Sequence, residues 1–382
     1  MNGTLALWCQ RLKLEGGSEK LPAVQLHVNL WRDLDKHFNF LDVGFVLEEV
    51  ESLERLCLYL PAPIEAEAIF DLSGALSDPD TLNAVFNDVS LISTDADDHF
   101  VVRTGQVGEG KEKLRTIHKL DPRKDIAVEK VNVHGQRRGT TISLNTALCR
   151  RIRSLSPETN DHYVRLRIYL QGEARTLFTT EDTPKGLGLS LTQDVLETTE
   201  FRLNERRSYP ADILRRADQG KLNLRSVHYF LIRRKDYQLG SQHQNFRKVR
   251  YLEHHIWNSY IQVGFPQGSG ARKSALSSEG MIIYQWREKV EEGKSLNDFI
   301  AYASFRTVRS KIPAYIFAAF AIGGIGSAVH NVVVACLQLM FHRFGWAIDD
   351  QGRLSLIAGV ILCGLLCVPT LLESFQRWGR RR

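Results

Sequence analysis

Apolar and polar positions alternate over short stretches through most of the chain, then give way to two long uncharged runs near its end. Leu5, Leu7 and Cys9 alternate with neighbours of another kind, and Val24, Leu26, Val28 and Leu30 alternate with Gln25, His27 and Asn29. Each stretch predicts a strand with one apolar face and one wet face. Gly16, Gly17 and Ser18 supply a turn between the two, which predicts a hairpin or meander. Leu56, Leu58 and Leu60 continue the pattern until Pro61 and Pro63 stop it. Further strands are predicted at 131–133 and 141–144, joined by HGQRRG, and at 164–170, where Arg165 and Arg167 would form an arginine-rich outer face. Val227, Tyr229 and Leu231 predict another, and 281–288 is read as the last strand.

Helical signals are fewer. Residues 64–72 read as a short helix, and Asp78, Pro79 and Asp80 form a start signal for one carrying Leu82, Val85 and Phe86. Residues 104–125 read as a charged loop, and YLEHHIWNSYI, from Tyr251, as a short helix or strand. Ser295 with Asp298 three residues on resembles a capping box, so 295–308 is predicted to be a helix.

The uncharged runs organise the end of the chain. Residues 312–341 and 354–372 contain no Asp, Glu, Lys or Arg, and a bilayer core needs about 20 helical residues. They predict a transmembrane hairpin. Arg306, Arg309 and Lys311 precede it and Arg377, Arg380, Arg381 and Arg382 follow it, which places both termini in the cytoplasm and the loop across an inner membrane. The predicted fold is α+β: a β-rich cytoplasmic region of sandwich or barrel-like sheets with a few helices, followed by that hairpin. Its parts are an acidic-fronted β-rich domain at 1–183, a basic β-containing region at 184–294, a connector helix at 295–310 and the hairpin with its basic tail at 311–382.

Within the spans, Ala319, Gly323 and Ser327 recur every fourth residue, as do Gly359, Cys363 and Cys367. Such stripes let helix backbones approach closely, within one chain or between chains. His330 and Asn331 lie near the middle of the first span, where polar side chains face a protein interface or a watery path. Both a structural hydrogen bond and a gating role stay open for them.

Charge changes the picture of the remainder. Residues 1–100 hold 6 Lys and Arg against 18 Asp and Glu, whereas 101–310 hold 37 against 23. The basic excess is densest from Arg202 to Arg250, where His228, Tyr237 and Phe246 supply interleaved rings. Such a stretch could hold nucleic acid, meet anionic headgroups, or be paired within the protein.

Catalytic and metal motifs are missing. Cysteines stand singly or within the spans, without a CxxC pair. The DADD run at 95–98 lacks the glycine and distal glutamate of a calcium loop, and the adjacent His254 and His255 cannot share a helical face. GFPQGSGARKS, from Gly264, has Arg272 where a phosphate loop needs its final glycine. The expectation is a protein that is not an enzyme and has no cofactor and no metal.

In layout, a cytosolic sensing part joined to two membrane helices, the chain resembles bacterial anti-phage effectors of retron and cyclic-oligonucleotide signalling systems. That resemblance implies a homo-oligomer in the lipid bilayer, triggered through a regulatory protein, nucleotide or nucleic acid, that perturbs the inner membrane and stops growth. The alternative is a tail-anchored binding module holding nucleic acid or another anionic partner.

Overall fold

The computed structural model describes residues 4–13, 20–35, 38–105, 113–133, 135–156, 159, 161–183, 192–244, 246–263, 277–291, 293–310 and 312–343, together with Ser355, Ile357 and Ala358. The chain divides into two compact units, one of residues 1–183 and 195–307 and the other of 184–194 and 308–382.

The first unit is built on sheets. The largest has ten strands, and its main path runs Lys248–Tyr251, Met281–Lys289, Asn223–Arg234, Ala23–Asp35, Phe38–Glu48, Asp161–Tyr169, Lys113–His118, His99–Thr104 and Ser90–Asp95. The short strand Ile69–Asp71 pairs with Asp161–Tyr169 off that path. Most neighbours are antiparallel; Asn223–Arg234 beside Ala23–Asp35 and Asp161–Tyr169 beside Lys113–His118 are parallel. A four-stranded sheet orders Ala6–Arg11, Leu53–Leu60, Gln136–Leu144 and Ile126–Val133, and a second orders Thr179–Asp182, Thr192–Leu203, Phe299–Ser310 and Gln238–Gln242.

The alternation explains the core. Val24, Leu26, Val28 and Leu30 turn one face of the large sheet into a cluster shared with Leu41, Val43 and Phe45. Leu56, Leu58 and Ile142 of one small sheet, Phe201 and Phe305 of the other, and Leu148 and Ile152 of the helix Thr146–Leu155 complete it. Non-directional burial of these side chains, at roughly 25 cal/mol per Å² of apolar surface, drives the assembly.

Several expectations are corrected. Ala6–Arg11 and Ala23–Asp35 stand in different sheets and so form no hairpin; the expected turn at 16–18 lies outside the described residues. Residues 64–72 hold only a 3-10 turn at Ala66–Ala68 before the strand Ile69–Asp71. The charged loop at 104–125 contains the strand Lys113–His118. The helix expected at 295–308 is the strand Phe299–Ser310, with Phe299, Ala301, Ala303 and Phe305 buried at a period of two. The Ser295 hydroxyl caps nothing there: it accepts a hydrogen bond from the Leu224 backbone N–H at 3.0 Å.

The transmembrane hairpin is also corrected. Among the described residues, no helix is long and apolar enough to cross a membrane. The second unit contains the helix Ile312–Arg343. Of the second arm, only Ser355, Ile357 and Ala358 are described. The two-span inner-membrane placement with cytoplasmic termini is therefore not supported, nor is the antiviral, toxic and abortive-infection character attached to it; neither is carried further.

Candidate anion-binding pocket

The second face of the large sheet carries the chemistry. Side chains of directly paired residues share a face of a sheet, and the register places Arg287, His228, His27, Gly44 and Arg165 in one row across five strands. The adjoining row runs Lys248, Gln285, Phe230, Asn29, Asp42 and Arg167. Gly44 is where the sheet leaves room. A Cβ there would run into the Tyr163 hydroxyl and ring, and that hydroxyl accepts a hydrogen bond from Arg165 Nη1 at 2.6 Å.

Two helices cover this face. His254–Gln262 buries Trp257, Tyr260 and Ile261 and closes over Arg165 and Arg167, which are buried rather than the outer face expected from alternation alone. Arg167 donates to Asp42 from Nε at 2.7 Å and Nη2 at 3.0 Å. Its Nη1 donates to the carbonyls of Ile261 at 3.0 Å and Val263 at 2.7 Å, so it also satisfies the helix C-terminus. Asp42 accepts two more hydrogen bonds, from Trp31 Nε1 and the Tyr260 hydroxyl, each at 2.8 Å. This is a paired, structural network.

The other helix, Pro79–Phe86, starts as its sequence predicts. Asp78 accepts from the Thr81 N–H at 2.9 Å, proline occupies the first turn, and Asn87 ends the helix in the left-handed region at φ 53°. Its last residues border a cavity of about 300 Å³ whose floor is the sheet. Arg115, Arg247, Lys248, Arg250 and Arg287 line that cavity with His27 and His228, and among the described residues no carboxylate does.

Pairing separates these cations. Arg115 holds Asp161 through two nitrogens and lies 4.4 Å over the Phe86 ring. Arg250 pairs with Glu253. Among the described residues, no carboxylate pairs with Arg247, Lys248 or Arg287. Burial and the neighbouring Arg247 charge lower the Arg287 pKa. Burial, and then Arg287, Arg247 and Lys289, depress His228 to about 4. His27 sits well below its ordinary value because of burial and the charges of His228, Arg165, Arg115 and Arg287. Both imidazoles are therefore neutral at pH 7, with ring centroids 4.9 Å apart. His228 Nε2 and Arg287 Nε are buried and lack a hydrogen-bond partner. Around Arg247, Lys248 and Arg287 the site gathers positive charge and idle donors that no carboxylate among the described residues pairs.

Most of the basic run is consumed elsewhere. Arg206 pairs with Asp218, Arg216 with Glu129, Arg225 with Glu48 and Glu49, and Arg233 with the buried Glu197. Asp95 pairs with Lys119, and Asp98 with His99 and Arg151. No group of metal-ligating side chains among the described residues could hold an ion. Within the helix Ile312–Arg343, His330 is half-buried, while Asn331, Gly323 and Ser327 are exposed. The side chain of Ala319, and Gly359, Cys363 and Cys367 altogether, lie outside the described residues, as does the glycine-rich segment at 264–274.

No protein-family model matches the chain, and no curated protein does. Among solved structures it is similar to the folded domain of LppM from Mycobacterium tuberculosis, at 7% identity over 78% of this chain and 99% of that one, with a TM-score of 0.20. A likeness at that score carries no argument about fold or role.

Proposed function

We propose that the chain is a binding protein for a small anionic, phosphate-bearing ligand, which enters the basic cavity beside the helix Pro79–Phe86. One observation carries this reading: Arg247, Lys248 and Arg287 converge on a cavity that no carboxylate among the described residues lines. Arg287 is half-buried while Arg247 and Lys248 are exposed; gathering like charges in this way opposes folding, and an anion reverses the sign of that contribution. The volume of about 300 Å³ lies at the lower end of small-molecule sites, which favours a compact ligand over a polymer strand. Neutral His228 adds a directional donor or acceptor next to Arg287, supplementing charge with geometry.

Thermal unfolding of the full chain in matched ionic strength, with inorganic phosphate against chloride, tests the proposal. Phosphate should raise the transition by mass action, and Arg247→Glu with Arg287→Glu should abolish the rise. An equal response of the reversed-charge variant, or no response of the natural chain to phosphate or phosphate esters, would contradict it.

A further inference from the structure

The pocket has a second half that a bare phosphate would leave empty. Phe230 follows His228 by two residues on the strand Asn223–Arg234, so both side chains point into the cavity from the same face. At a strand rise of 3.3 to 3.4 Å per residue, their seats are about 7 Å apart. A ribose holds a base away from its 5′-phosphate by a separation of that order.

Phe230 packs against the hydrophobic core and, with Phe86, is one of two aromatic residues named along this cavity. Phe86 is occupied, with Arg115 over its ring at 4.4 Å and Tyr163 edge-on at 4.9 Å. Phe230 makes no ring or cation contact among the described residues and is half-buried. Ala84 and Val85 of the covering helix line the same cavity, and a second small cavity of about 30 Å³ continues it past Phe230 toward Trp257. Phe230, Ala84, Val85 and Ile283 give this end of the cavity apolar lining among its polar groups.

One edge of that end of the cavity can read hydrogen bonds. Gln285 is the cross-strand partner of Phe230, and its side-chain amide has no hydrogen-bond partner among the described residues. A free amide offers a donor and an acceptor together, the combination that recognises the edge of a nucleobase. A sugar phosphate or an inorganic anion can hydrogen-bond to the amide but leaves the ring unstacked.

We infer that the ligand is a nucleoside monophosphate, with its phosphate against Arg287 and His228 and its base laid on Phe230 beside the Gln285 amide. This rests on the anion-binding reading above and narrows it to one chemical class.

Calorimetric titration of the full chain with inorganic phosphate, ribose 5-phosphate and the four common 5′-mononucleotides separates the two readings. At least one mononucleotide should bind roughly tenfold tighter than ribose 5-phosphate, the increment expected of one base stacked on one ring. Phe230→Ala and the volume-keeping Phe230→Leu should both erase that increment while leaving ribose 5-phosphate affinity unchanged. If phosphate and ribose 5-phosphate bind and no mononucleotide binds better, the base slot is refuted and the anion pocket stands. Should none of these probes bind, both readings fail. A base-dependent increment that survives in both Phe230 variants would also overturn the inference.

Discussion

Arg287 stands directly across from His228 on adjacent antiparallel strands, and His228 stands across from His27 on the next. Three nitrogen-bearing side chains thus share one row of the sheet, with no acidic residue among the described residues that line their cavity. Sites shaped for a ligand commonly give up stability in its absence, and this row predicts how much that arrangement costs.

Replacing Arg287 by Gln removes a cation on which burial and the charge of Arg247 both act unfavourably. The empty protein should therefore keep its stability within about 0.5 kcal/mol or gain slightly. Phosphate affinity should fall about ten- to hundredfold, the usual effect of losing a charged hydrogen-bond donor. Urea unfolding and calorimetry on the same samples check both halves. A clear loss of stability with unchanged phosphate affinity would assign Arg287 to structure.

Acid should weaken the fold in a defined window. His228 and His162 are each depressed to about 4 from 6.5, mainly by burial. His27 and His118 also lie well below that value. In the unfolded chain these rings take a proton near pH 6.5, so between pH 6.5 and 4 the unfolded state binds more protons. Their contribution is complete above about pH 6.5 and is lost as pH falls toward 4, on the order of 3 kcal/mol for His228 or His162. Urea midpoints should drop from pH 7 to pH 5, and less so in His162→Gln. Identical midpoints at both pH values would contradict the burial of these rings.

Gly44 and Tyr163 should be coupled. Adding a methyl group in Gly44→Ala drives it into the Tyr163 ring and hydroxyl, and overpacking of this kind costs about 1–3 kcal/mol. Trimming the ring in Tyr163→Ala should make the second substitution cheaper than it is alone, giving a favourable coupling in a double-mutant cycle. Simple additivity in urea unfolding would show that the two positions do not meet.

Breaking the ion pair beneath the covering helix should be far more damaging. Asp42 and Arg167 are both fully buried, and Asp42 also accepts from Trp31 and Tyr260. Asp42→Ala leaves a buried guanidinium uncompensated, so a loss of about 3–5 kcal/mol is expected in chemical unfolding. A loss below 1 kcal/mol would mean that water reaches Arg167.

The alternation of the central strands was readable because a period of two needs only neighbours along the chain. Their register was not. His27 and His228 meet through the parallel pairing of distant strands, and no local pattern encodes that partnership. Alternation also placed Arg165 and Arg167 on the correct face of their strand while leaving hidden the helix His254–Gln262 that buries them. At Ser295 a local signal misled: it imitates a helix cap, yet its hydroxyl serves the distant Leu224 N–H. The basic run was visible as composition. Only its ion pairs reveal which cations remain for a ligand, and Arg287 lies outside that run altogether.

Crystals of the full chain soaked in tungstate, a heavy analogue of phosphate, offer the most direct test of the pocket. An anomalous peak within hydrogen-bonding distance of Arg287 and His228, beneath the end of the helix Pro79–Phe86, is the predicted result. A cavity without a peak, while tungstate collects on exposed surface cations such as Arg215, would contradict the account.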